Sequence, residues 1–288
     1  MDFASLETIT DQAAERWRTH ARDERLGTLM SSLVRYLHAF ARENRLTEAE
    51  WCQATEFLTR VGQISNDKRK EFILLSDVLG LSMLVLLLND RTPQAASQPT
   101  LLGPFYIPNS PMIPFGGTLP GIAPDDGTPL FISGRVTGVD DAPIKGALLD
   151  VWQTDHDGVY EAQLIGDDER HRGLTRTDAD GRFLFRTVEP VDYPVPTDGP
   201  VGQLLAETTI SEYRPAHIHF KVTADRYAPL VTHLFDKRSS KLDRDVVFGA
   251  RAELLIEYAH RGPGQAPNGE MIDRPFSVLD HHFRLSPR

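Results

Sequence analysis

The chain has 288 residues, 40% of them hydrophobic and 25% charged, a composition ordinary for a soluble globular protein with a sizeable core. Its formal charge of -10, from 41 acidic against 31 basic residues, argues against a surface that tracks nucleic-acid phosphates or an anionic membrane and favours small-molecule chemistry. The one cysteine, Cys52, excludes an intramolecular disulfide and a cysteine-rich metal centre, so any metal would need nitrogen and oxygen ligands.

The first residues, Met-Asp-Phe-Ala-Ser-Leu-Glu, lack the basic and apolar pattern of a signal peptide, and the expectation is a cytoplasmic protein. Leu26, Leu29, Met30, Leu33, Leu37 and Phe40 recur on one face of an amphipathic helix. Thr47 and Glu50 have the capping-box spacing, so a further helix starts there and carries Trp51, Ala54, Leu58 and Val61. The run from Lys70 to Asn89 is the most apolar helix. Its longest apolar stretch, Phe72 to Leu88, is interrupted by Ser76, Asp77, Gly80 and Ser82 and reads as a buried core helix, not a membrane span. Prolines at 93, 99, 104, 108, 111, 114, 120, 124 and 129 then rule out regular helix. From Leu130 onward, short alternating segments such as Phe131 to Val136, Ala147 to Gln153 and Arg182 to Arg186 are separated by turn residues, the spacing of a sandwich or barrel. The expected architecture is mixed and mainly β: an N-terminal helical domain over 1–95 and a C-terminal β-sandwich domain over 96–288. The tail is expected to return through Val246 to Tyr258 and end in Pro- and Gly-rich loops.

The most informative motif is Tyr213-Arg-Pro-Ala-His-Ile-His-Phe-Lys-Val222. In a strand, His217 and His219 share one face while Ile218, Phe220 and Val222 share the other. Two imidazoles about 6.5 to 7 Å apart along a strand can lean onto one metal ion. A mononuclear site needs further donors, and three kinds are available. Asp225 or Asp236 would complete a two-histidine-one-carboxylate set, His233 would add a third imidazole suited to zinc, and Tyr160 and Tyr193 would add phenolates. Tyr160 follows an Asp157-Gly158 turn, and Tyr193 lies in a proline-rigid loop, Tyr193-Pro-Val-Pro196.

Several ordered segments together resemble the intradiol ring-cleavage dioxygenases: Gly103-Pro-Phe-Tyr106, Asp150-Val-Trp-Gln-Thr-Asp155, Asp157-Gly-Val-Tyr160, Thr177-Asp-Ala-Asp-Gly-Arg182, Tyr193-Pro-Val-Pro196, Gly199-Pro-Val-Gly202 and Arg214-Pro-Ala-His-Ile-His219. The resemblance covers nearly the whole chain, including Glu71-Phe-Ile-Leu-Leu-Ser-Asp-Val-Leu-Gly80, and is greatest to the branch that acts on hydroxyquinol. It implies one non-haem Fe(III) per subunit, held by Tyr160, Tyr193, His217 and His219. Phenolates are hard oxygen donors suited to the ferric state. It also implies that Tyr193 leaves the metal to accept a substrate proton and that Arg214, a permanent cation, stabilises negative charge developing on the substrate.

By the same resemblance, Leu74, Asp77, Leu101, Gly103, Pro104, Phe105, Val195, Pro196, Arg214 and Val247 surround the aromatic ring. Asp77 interrupts an apolar helix, so it meets either a structural hydrogen bond or a third ring hydroxyl. The implied reaction uses O2 to open 1,2,4-trihydroxybenzene (hydroxyquinol) to 3-hydroxy-cis,cis-muconate. Catechol or chlorocatechol would be alternative substrates, and a metal-free β-sandwich binding module is the alternative of another class. The amphipathic helices imply a homodimer through the N-terminal part, and the family resemblance adds a phospholipid enclosed between such helices.

Overall fold

The structure is a computed structural model describing residues 3–123, 125–164 and 169–288; Met1 and Asp2 of the N-terminal reading and Pro124 of the proline series lie outside the described residues. The chain forms two compact units, Met1–Arg60 and Val61–Arg288. Composition puts its break after residue 95, whereas compactness places the apolar helices before it in the larger unit.

In the first unit, α1 (Ile9–His20) and α2 (Glu24–Glu43) form a hairpin, with Asp23 capping α2 through the N–H of Leu26 at 2.8 Å. The apolar stripe read from the sequence lies on α2 and stays open: Leu29, Leu33, Leu37 and Phe40 are all exposed. The capping box forms as its spacing predicts. Thr47 donates N–H and hydroxyl to Glu50 Oε2, both at 2.8 Å, at the start of α3 (Glu48–Ile64).

The run read as one buried helix is two. α4 (Glu71–Val78) and α5 (Leu81–Asn89) are bent 77° apart at Gly80, whose φ of +71° is a left-handed conformation that glycine adopts without steric penalty. Nor is it buried all round: Leu79, Leu84 and Leu88 are more than half exposed, while Glu71, Leu74, Asp77 and Met83 point inward. Among the described residues no single helix is long and apolar enough to cross a membrane.

The sandwich is built from β1 (Pro129–Gly138), β2 (Leu148–Trp152), β3 (Arg172–Arg176), β4 (Arg182–Val188), β7 (His217–Thr223), β8 (Leu230–Asp236), β9 (Leu255–Ile256), β10 (Ala259–Arg261) and β13 (Phe276–Leu285). One sheet has the order β10-β13-β1-β4 and the other β3-β2-β7-β8-β9. Leu130, Ile132, Phe183, Phe185 and Phe283 from the first meet Leu149, Val151, Ile218, Phe220 and Val222 from the second in one core. Two short ladders complete the architecture, β5 (Tyr193–Pro194) with β6 (Tyr213–Arg214) and β11 (Gly264–Gln265) with β12 (Met271–Ile272), and a short helix α6 spans Pro200–Ala206. The tail is more ordered than its proline and glycine content suggests: β13 runs ten residues parallel to β1.

Candidate metal and active site

The outer face of the five-stranded sheet carries the site. Ile218, Phe220 and Val222 of β7 enter the core, so the period of 2 turns His217 and His219 the other way. That face is also closed from solvent, with both histidines 1% exposed. Their Nε2 atoms lie 3.1 Å apart. His217 donates its Nδ1 proton to the Pro215 carbonyl at 2.7 Å, which leaves Nε2 with a lone pair.

Tyr160 reaches the pair from the loop after β2. Asp155 Oδ1 accepts the N–H groups of Asp157 and Val159 at 3.0 and 2.9 Å, and Gly158 turns the chain at φ +86°. The Tyr160 ring then stacks on Phe105 with centroids 4.5 Å apart, and its hydroxyl stands 3.0 Å from His219 Nε2 and 3.5 Å from His217 Nε2. Tyr193 enters from β5, paired in register with Arg214 of β6, and its hydroxyl is 3.3 Å from that of Tyr160.

These four side chains fit a cation. Ligands about 2.0 to 2.1 Å from one ion, at angles between roughly 95° and 120°, lie about 3.0 to 3.5 Å from each other, and the Tyr160 hydroxyl has that spacing from the other three donor atoms, as the two imidazole Nε2 atoms have from each other. Burial pushes both phenols above their ordinary pKa, Tyr160 furthest, and Arg214 partly offsets this at Tyr193. Burial, then neighbouring positive charge or imidazole, holds both imidazoles well below theirs. Two neutral nitrogens and two phenols that must lose protons to bind form a hard, oxygen-rich set suited to a trivalent ion. The remaining candidates do not join it. Asp225 is exposed, and the Asp236 carboxylate is taken by Arg238 at 2.7 Å.

Arg214 stands at the edge of the set, its Nη1 3.4 Å from the Tyr193 hydroxyl and 3.0 Å from His217 Nε2. A side chain absent from the sequence reading holds it there. Asp245 meets the guanidinium at 3.0 and 3.4 Å, with both groups buried. Burial alone would raise the Asp245 carboxyl, but Arg214 and the N–H groups of Val247, Gly249 and Ala250 overcome this and keep it below its ordinary pKa. The motif Asp245-Val-Val-Phe-Gly249 has the side-chain-to-backbone pattern of an Asx turn, a local signal that does not reveal an arginine 31 residues earlier as the partner.

Beside the four donors lies a small, partly enclosed pocket. It is lined by Leu74, Asp77, Leu101, Gly103, Pro104, Phe105, Tyr193, Val195, Arg214 and Val247. All but one of the residues expected around the ring are therefore together. The exception is Pro196, which lines a wider pocket next to it that shares Leu74, Pro104 and Phe105. Asp77 is almost fully buried, and burial raises its pKa while Ser82 and Arg214 draw it back. His233, noted in the sequence as one ligand option, pairs opposite His219 across the β7–β8 ladder. The ring nitrogens of His217, His219 and His233 lie within 4.8 Å of one another. Trp152, opposite His219 on β2, stacks on its ring at 4.7 Å.

Residues 101–283 match the family described as Dioxygenase and residues 23–97 the family described as Catechol dioxygenase N terminus. The chain belongs to the intradiol ring-cleavage dioxygenases. It is 47% identical to a 6-chlorohydroxyquinol 1,2-dioxygenase of Cupriavidus pinatubonensis, over 82% of this chain and 85% of that protein. It is 43% identical to a hydroxyquinol 1,2-dioxygenase of Rhodococcus opacus, over 99% and 95%. The crystal structure of a hydroxyquinol 1,2-dioxygenase from Pseudomonas putida superposes with a TM-score of 0.87 at 39% identity, covering 98% of this chain and 99% of that one.

Proposed function

We propose that this dioxygenase uses O2 to open the ring of hydroxyquinol between its ortho hydroxyls, giving 3-hydroxy-cis,cis-muconate, the enol form of maleylacetate. The observation that carries the reading is the meeting of two phenols and two imidazoles, the Tyr160 hydroxyl 3.0 to 3.5 Å from the other three donor atoms and the two Nε2 atoms 3.1 Å apart, beside a pocket lined by apolar side chains, Asp77 and Arg214. Tyr160, Tyr193, His217 and His219 would hold one non-haem Fe(III) per chain. When bound, that ion supplies a Lewis acid that favours the deprotonated diol and draws charge from its ring.

The chain's own residues do the rest. Leu74, Leu101, Pro104, Phe105, Val195 and Val247 exclude water and hold the ring flat, with Pro196 at the approach from the wider pocket. Tyr193, as its phenolate, accepts a substrate proton, and Arg214 within reach of its oxygen favours that anionic form. Arg214, fixed by Asp245, stabilises the negative charge that builds on the substrate oxygens. Asp77 opens onto the same cavity and accepts the third ring hydroxyl, the feature that separates hydroxyquinol from catechol.

The chain divides by labour into a helical dimerisation part, 1–95, and an iron-binding part, 96–288, although Leu74 and Asp77 of the former reach the cavity. The open apolar stripe of α2 supports a homodimer, and a phospholipid would cover what two such faces leave uncovered. A lone cysteine and an acidic surface support a cytoplasmic setting.

Purified protein reconstituted with ferric iron and supplied with hydroxyquinol or catechol in air decides between substrates. Maleylacetate from the first at a kcat/KM well above that for muconate from the second is the expected result. Preference for catechol or chlorocatechol would reassign the substrate. A protein that never takes up ferric iron, and so never shows the red of tyrosinate coordination, would point to a metal-free binding module.

A further inference from the structure

We infer that His233 becomes the outer hydrogen-bond partner of His219 when a metal is bound and so fixes that ring; this rests on the reading of His219 as a ligand. Three of the four donor side chains have a visible means of orientation. Tyr160 lies on Phe105, Tyr193 meets Arg214, and His217 donates to the Pro215 carbonyl. His219 has no such anchor at its outer nitrogen: Nδ1 is buried without a partner. Its Nε2 faces the Tyr160 hydroxyl and His217 Nε2 at 3.0 and 3.1 Å, so in the metal-binding tautomer the proton sits on Nδ1 and needs an acceptor. A metal-bound imidazole nearly always finds one, which sets its rotation and basicity.

The two ladder neighbours of His219 leave one choice. Trp152 on β2 stacks face to face at 4.7 Å and 19°, and its indole nitrogen donates only. His233 on β8 meets His219 edge-on, with centroids 3.9 Å apart and planes at 68°. Its ring is 0% exposed, and neither nitrogen forms a well-made hydrogen bond, although the Leu101 backbone is a weak partner. A buried imidazole so poorly paired lowers stability, and an aliphatic side chain would fill this place on β8 without that penalty. The lone pair of a neutral imidazole beside an orphaned N–H is the function that offsets it. His233 is therefore a positioning residue, one shell outside the metal, and Trp152 closes the opposite face so that His219 turns neither way.

The test measures binding rather than turnover. Ferric ion and redox-inert gallium(III) are titrated into the apoprotein against a competing chelator, in the unsubstituted chain and in His233→Leu, His233→Gln and His219→Ala. His233→Leu is expected to lower affinity for both ions about 10- to 100-fold, with the melting temperature of the apoprotein unchanged or raised. His233→Gln, which keeps an acceptor, recovers most of the affinity. Unchanged affinity in His233→Leu overturns the inference, as does an equal loss in both variants together with a lower apoprotein melting temperature, the signature of packing alone. Nitrogen NMR of the unsubstituted gallium-loaded protein gives an answer independent of any variant: a His219 Nδ1 proton shared with a His233 nitrogen supports the role, and one without that coupling overturns it. Should His219→Ala itself bind ferric ion like the unsubstituted chain, the metal assignment fails, a result distinct from failure of the His233 role alone.

Discussion

Arg214 and Asp245 form a pair whose worth differs for stability and for catalysis. Both are buried, so neither charge is well solvated without the other. Replacing Asp245 by Asn leaves the guanidinium uncompensated and is expected to destabilise the fold by about 3 to 5 kcal/mol, read from denaturant midpoints, with turnover falling in the same variant. Arg214→Lys retains a cation but loses the planar fork that engages both carboxylate oxygens. It is expected to keep the ferric colour while kcat drops about 100-fold or more; near-normal turnover would remove Arg214 from the chemistry. The two phenols give a further residue-scale expectation. Their folded pKa values lie above the ordinary value of about 10, so each contributes stability below that pH and loses it as pH rises through the folded value. The apoprotein should therefore melt at lower temperature above about pH 10. Metal loading at neutral pH should release about two protons per ion, and about one in Tyr160→Phe, measured with an indicator dye in weakly buffered solution.

At the scale of elements, the site depends on loops that hold each donor against a rigid sheet. Gly158 is a tight point, since a Cβ there would stand 2.9 Å from that of Tyr193, in a conformation that L side chains rarely adopt. Gly158→Ala is expected to weaken ferric binding at least tenfold by displacing both tyrosines, a 1 Å error being enough for a factor of about 100 at a positioned site. The sandwich should still give its native far-ultraviolet dichroism; undiminished ferric colour on titration would contradict this account of the loop. The local signals that encode such elements were the legible ones. The alternation around His217 and His219, the Thr47–Glu50 box and the stripe on α2 each depend on neighbours a few residues apart, and each formed. What the chain order hides is pairing across distance. Asp245 finds Arg214 and His233 finds His219 only after the strands align, and β13 owes its ten residues to β1, more than a hundred positions earlier. The break at Gly80 was open to reading, but the hydrophobicity on either side of it dominated. That same hydrophobicity suggested burial for side chains that a single chain leaves exposed.

For the whole molecule, the exposed apolar surface is the property most in need of a partner. Leu29, Leu33, Leu37 and Phe40 recur along one side of α2 at 47 to 57% exposure, and a contiguous stripe of that kind is unfavourable in water when left open. A net charge of -10 keeps chains apart at long range but is screened beyond about 8 Å at physiological ionic strength. In the proposed homodimer, direct apolar contact between two copies would therefore determine association once they meet. Sedimentation velocity is expected to return twice the 32.3 kDa chain mass, and Leu33→Glu to return the single mass with circular dichroism unchanged. Because the four donors and the cavity all lie within Val61–Arg288, the Leu33→Glu chain should still take up ferric iron with native stoichiometry. If it loses both mass and metal, the helical part supports the site as well as the dimer. Solvent extraction of the dimer, followed by mass spectrometry, settles the lipid separately: a phospholipid present in the unsubstituted protein and absent from Leu33→Glu belongs to the interface between copies, whereas none in either leaves apolar contact between protein chains to account for association.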